Sequence, residues 1–152
     1  MVYPAVYPAA DPAAYPPLRE LLPHRPPMIL IDELVHWDER EVVCSVTIRD
    51  DAPFVVDGRV PALVSIEYFA QTVAAFYGYL ARHRQQFTMG MLLGTRELEL
   101  RTDFFHVGDA LTITGRELWN GEGLAQFRCE LLRGPELLAL AAISVLQAGA
   151  PS

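Results

Sequence analysis

Residues 60–80 read VPALVSIEYFAQTVAAFYGYL, the longest apolar stretch of the chain, and Glu67 is its one charged residue. Pro61 suits the first turn of a helix, where its missing N–H removes no bond. At about 20 residues the stretch approaches the length of a membrane span. Glu67, Gln71 and the Val/Ile-rich segments on either side argue instead for a helix enclosed in a folded core. Charge returns at Arg82-His83-Arg84, and the helix is expected to lapse there.

Outward from that helix the pattern changes to strands. Upstream, Met28 to Val35 and Glu41 to Ile48 are rich in Val and Ile and read as two antiparallel strands about a turn at residues 36–40. Asp50 to Arg59, with Pro53 and Gly58, is a loop. Downstream, Met91 to Leu100, Ala110 to Trp119, Leu124 to Leu132 and Leu137 to Leu146 alternate with turn residues at 108–109, 120–123 and 134–135. Four strands joined by short turns predict a meander. An antiparallel sheet curved around one long helix buries that helix on most sides, which gives an α+β fold.

Composition bounds the rest. The 152 residues suit one domain, and a hydrophobic fraction of 51% with 20% charged residues excludes disorder throughout. Twelve cationic against 19 anionic side chains give −7, a field that repels nucleic acid and anionic lipid. Cys44 and Cys129 stand far apart and imply neither a zinc site nor a disulfide framework. Residues 1–17 hold five of the twelve prolines and a tandem Val-Tyr-Pro-Ala. They are expected to form a flexible arm, with a domain at 18–147 and a tail at 148–152. No basic stretch followed by an apolar run marks a secretory signal, so a cytoplasmic location is expected.

Glu67 carries the strongest chemical signal. Helical spacing sets it on one face with Leu63, Ala70 and Ala74, and a carboxyl held neutral by such a face can donate a proton. The same spacing suits an exposed helix edge or an ion pair across an interface. Gln71, one turn on, is placed to bond Glu67 or a substrate amide. His24 lies in Pro23-His24-Arg25-Pro26-Pro27, where three prolines stiffen the backbone and can fix an imidazole for use as a base. A surface histidine in a rigid loop satisfies the same sequence. His36, His83 and His106 read as structural or exposed. Free N–H groups at the helix start, at Ala62 and Leu63, are placed to polarise a carbonyl oxygen.

Two segments together resemble a known family. LPHRPPMILID at residues 22–32, followed by VPALVSIEYFAQ at residues 60–71, is similar to the hotdog-fold 3-hydroxyacyl-[acyl-carrier-protein] dehydratases. The similarity is closest to the branch associated with aryl polyene pigments, to which MLLGTRE at residues 91–97 also corresponds, and it spans about residues 18–147. The resemblance implies a hotdog dimer whose two sheets join, with active sites at the interface. It implies elimination of water from a carrier-bound 3-hydroxyacyl thioester to give the trans-2-enoyl thioester, as in fatty-acid-like or polyketide synthesis. A histidine removes the C2 proton and a helix carboxyl of the other protomer protonates the leaving hydroxyl. Glu67 matches that carboxyl, and Ala62 stands where the family has a glycine. No metal or organic cofactor is implied.

The chain departs from the fatty-acid-type pattern at one point. The loop position of the histidine is Pro53, and no histidine occurs from Val42 to Leu80. The aryl-polyene-type branch keeps the histidine of the Pro-His segment, which is His24 here. His24 as base and Glu67 as acid is therefore the expected pair. Two alternatives remain: an idle acyl-binding subunit of a heterodimeric dehydratase, and a hotdog thioesterase. The expected partners are an acyl carrier protein with a phosphopantetheine-linked substrate and a second hotdog subunit, the same or related. Nucleic acid and a membrane span are not expected. Phe54, Phe69, Phe76, Tyr77 and Tyr79 are available to line an acyl tunnel, and Arg82, Arg84, Arg96 and Arg101 to meet an acidic carrier.

Overall fold

Alternation builds the sheet. In the strand Leu124–Arg133, Ala125, Phe127, Cys129 and Leu131 are buried while Leu124 and Arg128 face outward, the two-residue period of a strand with one covered face. The computed structural model describes residues 14–85 and 88–149. Among them the strands are β1 (Glu33–Trp37), β2 (Glu41–Thr47), β3 (Arg59–Pro61), β4 (Thr88–Leu100), β5 (Phe104–His106), β6 (Ala110–Gly121), β7 (Leu124–Arg133) and β8 (Glu136–Gly149). Helix α1 is Ser65–Arg84, preceded by a single tight turn at Ala62–Val64. Six strands form one antiparallel sheet in the order β1-β2-β6-β7-β8-β4. Helix α1 packs on this sheet, and Tyr68, Phe69, Val73, Phe76, Tyr77 and Leu80 enter the core.

Aromatic packing ties helix to sheet. Phe76 and Tyr77 meet Phe127 of β7 with ring centroids 5.2 and 5.9 Å apart. The Tyr77 hydroxyl accepts a bond from Gln147 Nε2 at 3.1 Å. Cys44 and Cys129 are free and fully buried, and burial pushes the Cys44 thiol up to about 12. Among the described residues no helix is long and apolar enough to cross a membrane.

The fold differs from the sequence expectation at its edges. Val60 and Pro61 are not helical: they belong to β3, which pairs with β5 in a separate two-stranded sheet. The helix itself lapses at the expected place: Arg82, His83 and Arg84 form its last turn, where cations favour the negative end of the helix dipole. Gln85 ends it in a left-handed conformation, φ 53°. The expected strand at Met28 to Val35 begins only at Glu33, because the Met28 carbonyl and the Leu30 N–H are taken by a helix side chain rather than a neighbouring strand. The four-strand meander is a three-strand one: β4 crosses to pair with β8 at the sheet edge. The expected tail begins inside β8, which extends to Gly149. Of the expected arm, residues 1–13 lie outside the described residues, and Tyr15 is docked, with its ring against Tyr79 and its hydroxyl accepting the Trp37 N–H at 3.1 Å.

Candidate active site

One stripe of α1 seats the segment that carries His24. Glu67, Gln71 and Gly78 fall near one side of the helix by their spacing of four and seven residues. At Gly78 the Leu21 backbone lies so close that an added Cβ would collide with the Leu21 carbonyl oxygen and stand 2.9 Å from its carbon. At Gln71, which is fully buried, the side chain amide reaches the next stretch of the same segment. Gln71 Nε2 donates to the Met28 carbonyl at 2.7 Å, and Gln71 Oε1 accepts the Leu30 N–H at 2.8 Å. Between these anchors Arg25 folds back to donate to the carbonyls of His24, at 2.9 Å, and Leu22, at 3.3 Å. The Met28 N–H closes the turn on the Arg25 carbonyl at 2.8 Å.

The loop held in this way sets His24 Nε2 at 3.4 Å from Glu67 Oε1. The same oxygen accepts a hydrogen bond from Gln71 Nε2 at 3.1 Å, so Oε2 is the oxygen left for other partners. His24 Nδ1 is buried and has no hydrogen-bond partner among the described residues, which leaves Nε2 as its working nitrogen. The side chains keep 28% of their surface exposed at His24 and 40% at Glu67, so the carboxyl is open to a ligand and not enclosed by an apolar face. Both groups come from a single chain, whereas the resemblance implied an acid from the other protomer.

Other expected site residues are placed differently. Gln71 is not available for a substrate, because both its donor hydrogens and its carbonyl oxygen are used by Glu67 and by the backbone at 28–30. The Ala62 N–H is not free: it donates to the Asp103 carbonyl at 2.8 Å. Exposed Leu63 follows it, with no backbone acceptor for its N–H among the described residues. Phe54 is half exposed, with φ 70°, and no described hydrogen bond or ring contact joins it to His24 or Glu67. Phe69, Phe76 and Tyr77 are core residues. Tyr79 and His83 pack on Trp37. Arg82, Arg84 and Arg101 are paired with Glu20, Glu39 and Glu99. Exposed pairs of this kind are weak, about 0–1 kcal/mol, so a docking partner can compete for them.

Gly78 and Arg25 are the site residues that sequence reasoning did not single out. A glycine within a helical pattern signals a close approach only when the opposing segment is known. At an open helix position Gly→Ala stabilises by about 1 kcal/mol. Here the backbone contact reverses the sign. We expect Gly78→Ala to lower the midpoint of thermal unfolding by several degrees through overpacking, about 1–3 kcal/mol, and to slow any reaction that uses His24. An unchanged or raised midpoint would contradict this placement.

Comparison with known proteins bears on the family and the fold. A family model described as ApeP-like, ApeP dehydratase, matches residues 16–152. The dehydratase heterocomplex ApeI:P from Xenorhabdus doucetiae is similar at 28% identity and TM-score 0.81, with 88% of this chain and 92% of that chain covered. A hypothetical thioesterase with coenzyme A from Streptococcus pneumoniae TIGR4 is similar at 14% identity and TM-score 0.63, with 79% and 88% covered. The PaaI protein of Escherichia coli, from a phenylacetic acid degradation operon, is similar at 12% identity and TM-score 0.59, with 75% and 81% covered. The last two share the fold alone. No curated protein matches the chain.

Proposed function

Since the chain belongs to the ApeP-like dehydratase family, we propose that it eliminates water from a 3-hydroxyacyl thioester carried on the phosphopantetheine arm of an acyl carrier protein, giving the trans-2-enoyl thioester. The observation that carries this reading is the approach of His24 Nε2 to Glu67 Oε1 at 3.4 Å within one chain. A base and an acid that serve adjacent carbons must both come within hydrogen-bond reach of one substrate, and a pair this close can do so. His24 removes a proton from C2, the C2–H electrons form the C2–C3 double bond, and the C3–O bond breaks. Glu67 supplies a proton from Oε2, and the hydroxyl leaves as water. Protonated His24 and ionised Glu67 then face each other, and the proton returns to the carboxyl. The Leu63 N–H is the donor assigned to the thioester carbonyl, and Phe54 the side chain assigned to the acyl group. Pro53, at the loop position of the fatty-acid-type histidine, cannot take part in proton transfer.

The partner is a second hotdog subunit, and the edge strand β4 supports this. It pairs with β8 on one side only and exposes Met91, Leu92 and Leu93. A long apolar strand edge is a hazard unless another sheet covers it. A heterodimer agrees with the heterocomplex found for the Xenorhabdus protein. The test offers a 3-hydroxyacyl carrier-protein thioester to the purified protein, alone and with a related hotdog subunit. Formation of the enoyl thioester is the expected result. Release of free carrier thiol would favour a thioesterase, and no turnover by the folded, assembled protein would favour an idle acyl-binding subunit.

A further inference from the structure

Immediately beyond Glu67 on α1, Tyr68 faces a cavity of about 280 Å³ that the dyad does not use. Its apolar walls come from three places in the chain: Ile29 of the segment clamped by Gln71, Val46 and Ile48 of β2 and its continuation, and Pro53 of the loop before α1. Its polar side chains are Asp32, Thr47, Arg49, Asp51 and Tyr68. Asp32 accepts the Thr47 N–H at 2.8 Å and pairs with Arg49 at 3.1 Å, and Asp51 lies on the same rim.

Tyr68 is 3% exposed and its ring packs near Phe105, with centroids 6.2 Å apart. Its hydroxyl has no hydrogen-bond partner among the described residues. Unlike His24 Nδ1, Ser65 Oγ and Thr72 Oγ1, it is not sealed off: it opens to the cavity, where a ligand oxygen can accept from it. Burial, and secondarily the Asp32 charge, pushes the phenol up to about 12, so it stays protonated and acts as a donor throughout the physiological range.

We propose that this cavity is a binding site for a compact apolar group, about the size of a six-membered ring, that carries one neutral oxygen accepting a hydrogen bond from Tyr68. The volume sets the size, since it lies at the lower end of ligand pockets and holds a fragment rather than a long chain. The rim sets the charge. Two carboxylates, Asp32 and Asp51, stand against one guanidinium, Arg49, so a carboxylate ligand meets net repulsion while a ketone or alcohol does not. The inference does not rest on the dehydratase reading: an idle subunit would bind the same group.

The test is a titration of the full chain with cyclohexanone, followed by amide chemical shifts, and a parallel titration with cyclohexanecarboxylate. Cyclohexanone should shift the amides of residues 29–32 and 46–52, and the carboxylate should bind more weakly. Tyr68→Phe keeps the ring against Phe105 and should weaken cyclohexanone about three- to tenfold, the worth of one neutral hydrogen bond. Ala52→Leu fills the cavity from the loop and leaves Tyr68 in place; it should abolish those shifts, and it decides the matter should the Tyr68 variant fail to fold. Absence of shifts at these amides, equal affinity in both variants, or tighter binding of the carboxylate would overturn the proposal.

Discussion

Replacing Glu67 by Gln should lower the rate of water loss from a 3-hydroxyacyl carrier-protein thioester by about 10²- to 10⁴-fold, the usual contribution of a positioned general acid. The substitution is nearly isosteric, and its amide oxygen can still accept the bond that Gln71 Nε2 gives to Glu67 Oε1 at 3.1 Å. The loop anchors at Met28 and Leu30 do not involve Glu67 and stay intact. Stability should therefore change little, within about 1 kcal/mol, as circular dichroism on heating would check. A large loss of both stability and turnover would mean that Glu67 holds the loop rather than moves a proton.

Gln71→Leu should do the opposite in kind, lowering stability first and turnover as a consequence. It removes three bonds at once and leaves the Met28 carbonyl and the Leu30 N–H without their partner. At about 1–3 kcal/mol for each of the two stranded groups, the loss is on the order of 2–6 kcal/mol, and the unfolding midpoint should fall by roughly 10 °C. The 28–30 segment, freed from α1, no longer fixes the loop that holds His24, so water loss should also fall at temperatures where the variant remains folded. Thermal unfolding and single-turnover rates on the same sample separate the two effects. A variant as stable as the parent would show that solvent satisfies these groups and that the clamp is dispensable.

The parts legible in the sequence were those with a long repeating pattern. Helix α1 follows from its unbroken apolar run, and β6, β7 and β8 from alternation between turn residues. Strands β3 and β5, three residues each, are too short to show a period. The late start of β1 was hidden for a different reason: the bonds that hold Met28 and Leu30 out of the sheet come from Gln71, 43 and 41 positions away. Gly78 was silent on the same grounds, since its meaning lies in the Leu21 backbone opposite. His24 and Glu67 were named from residue type and resemblance, but their meeting depends on the fold of the 21–30 segment. The Tyr68 cavity had no signal, because a tyrosine on an apolar helix reads as core until its hydroxyl is found without a partner.

Mass-spectrometric detection of water loss from one carrier-bound 3-hydroxyacyl thioester, by the parent protein beside His24→Ala and Glu67→Gln, tests the central claim most directly. An acid and base acting as a pair predict conversion by the parent and a fall of at least about two orders of magnitude in each folded variant. Conversion at the parental rate by either variant would contradict the claim that these two side chains, 3.4 Å apart in one chain, carry the reaction.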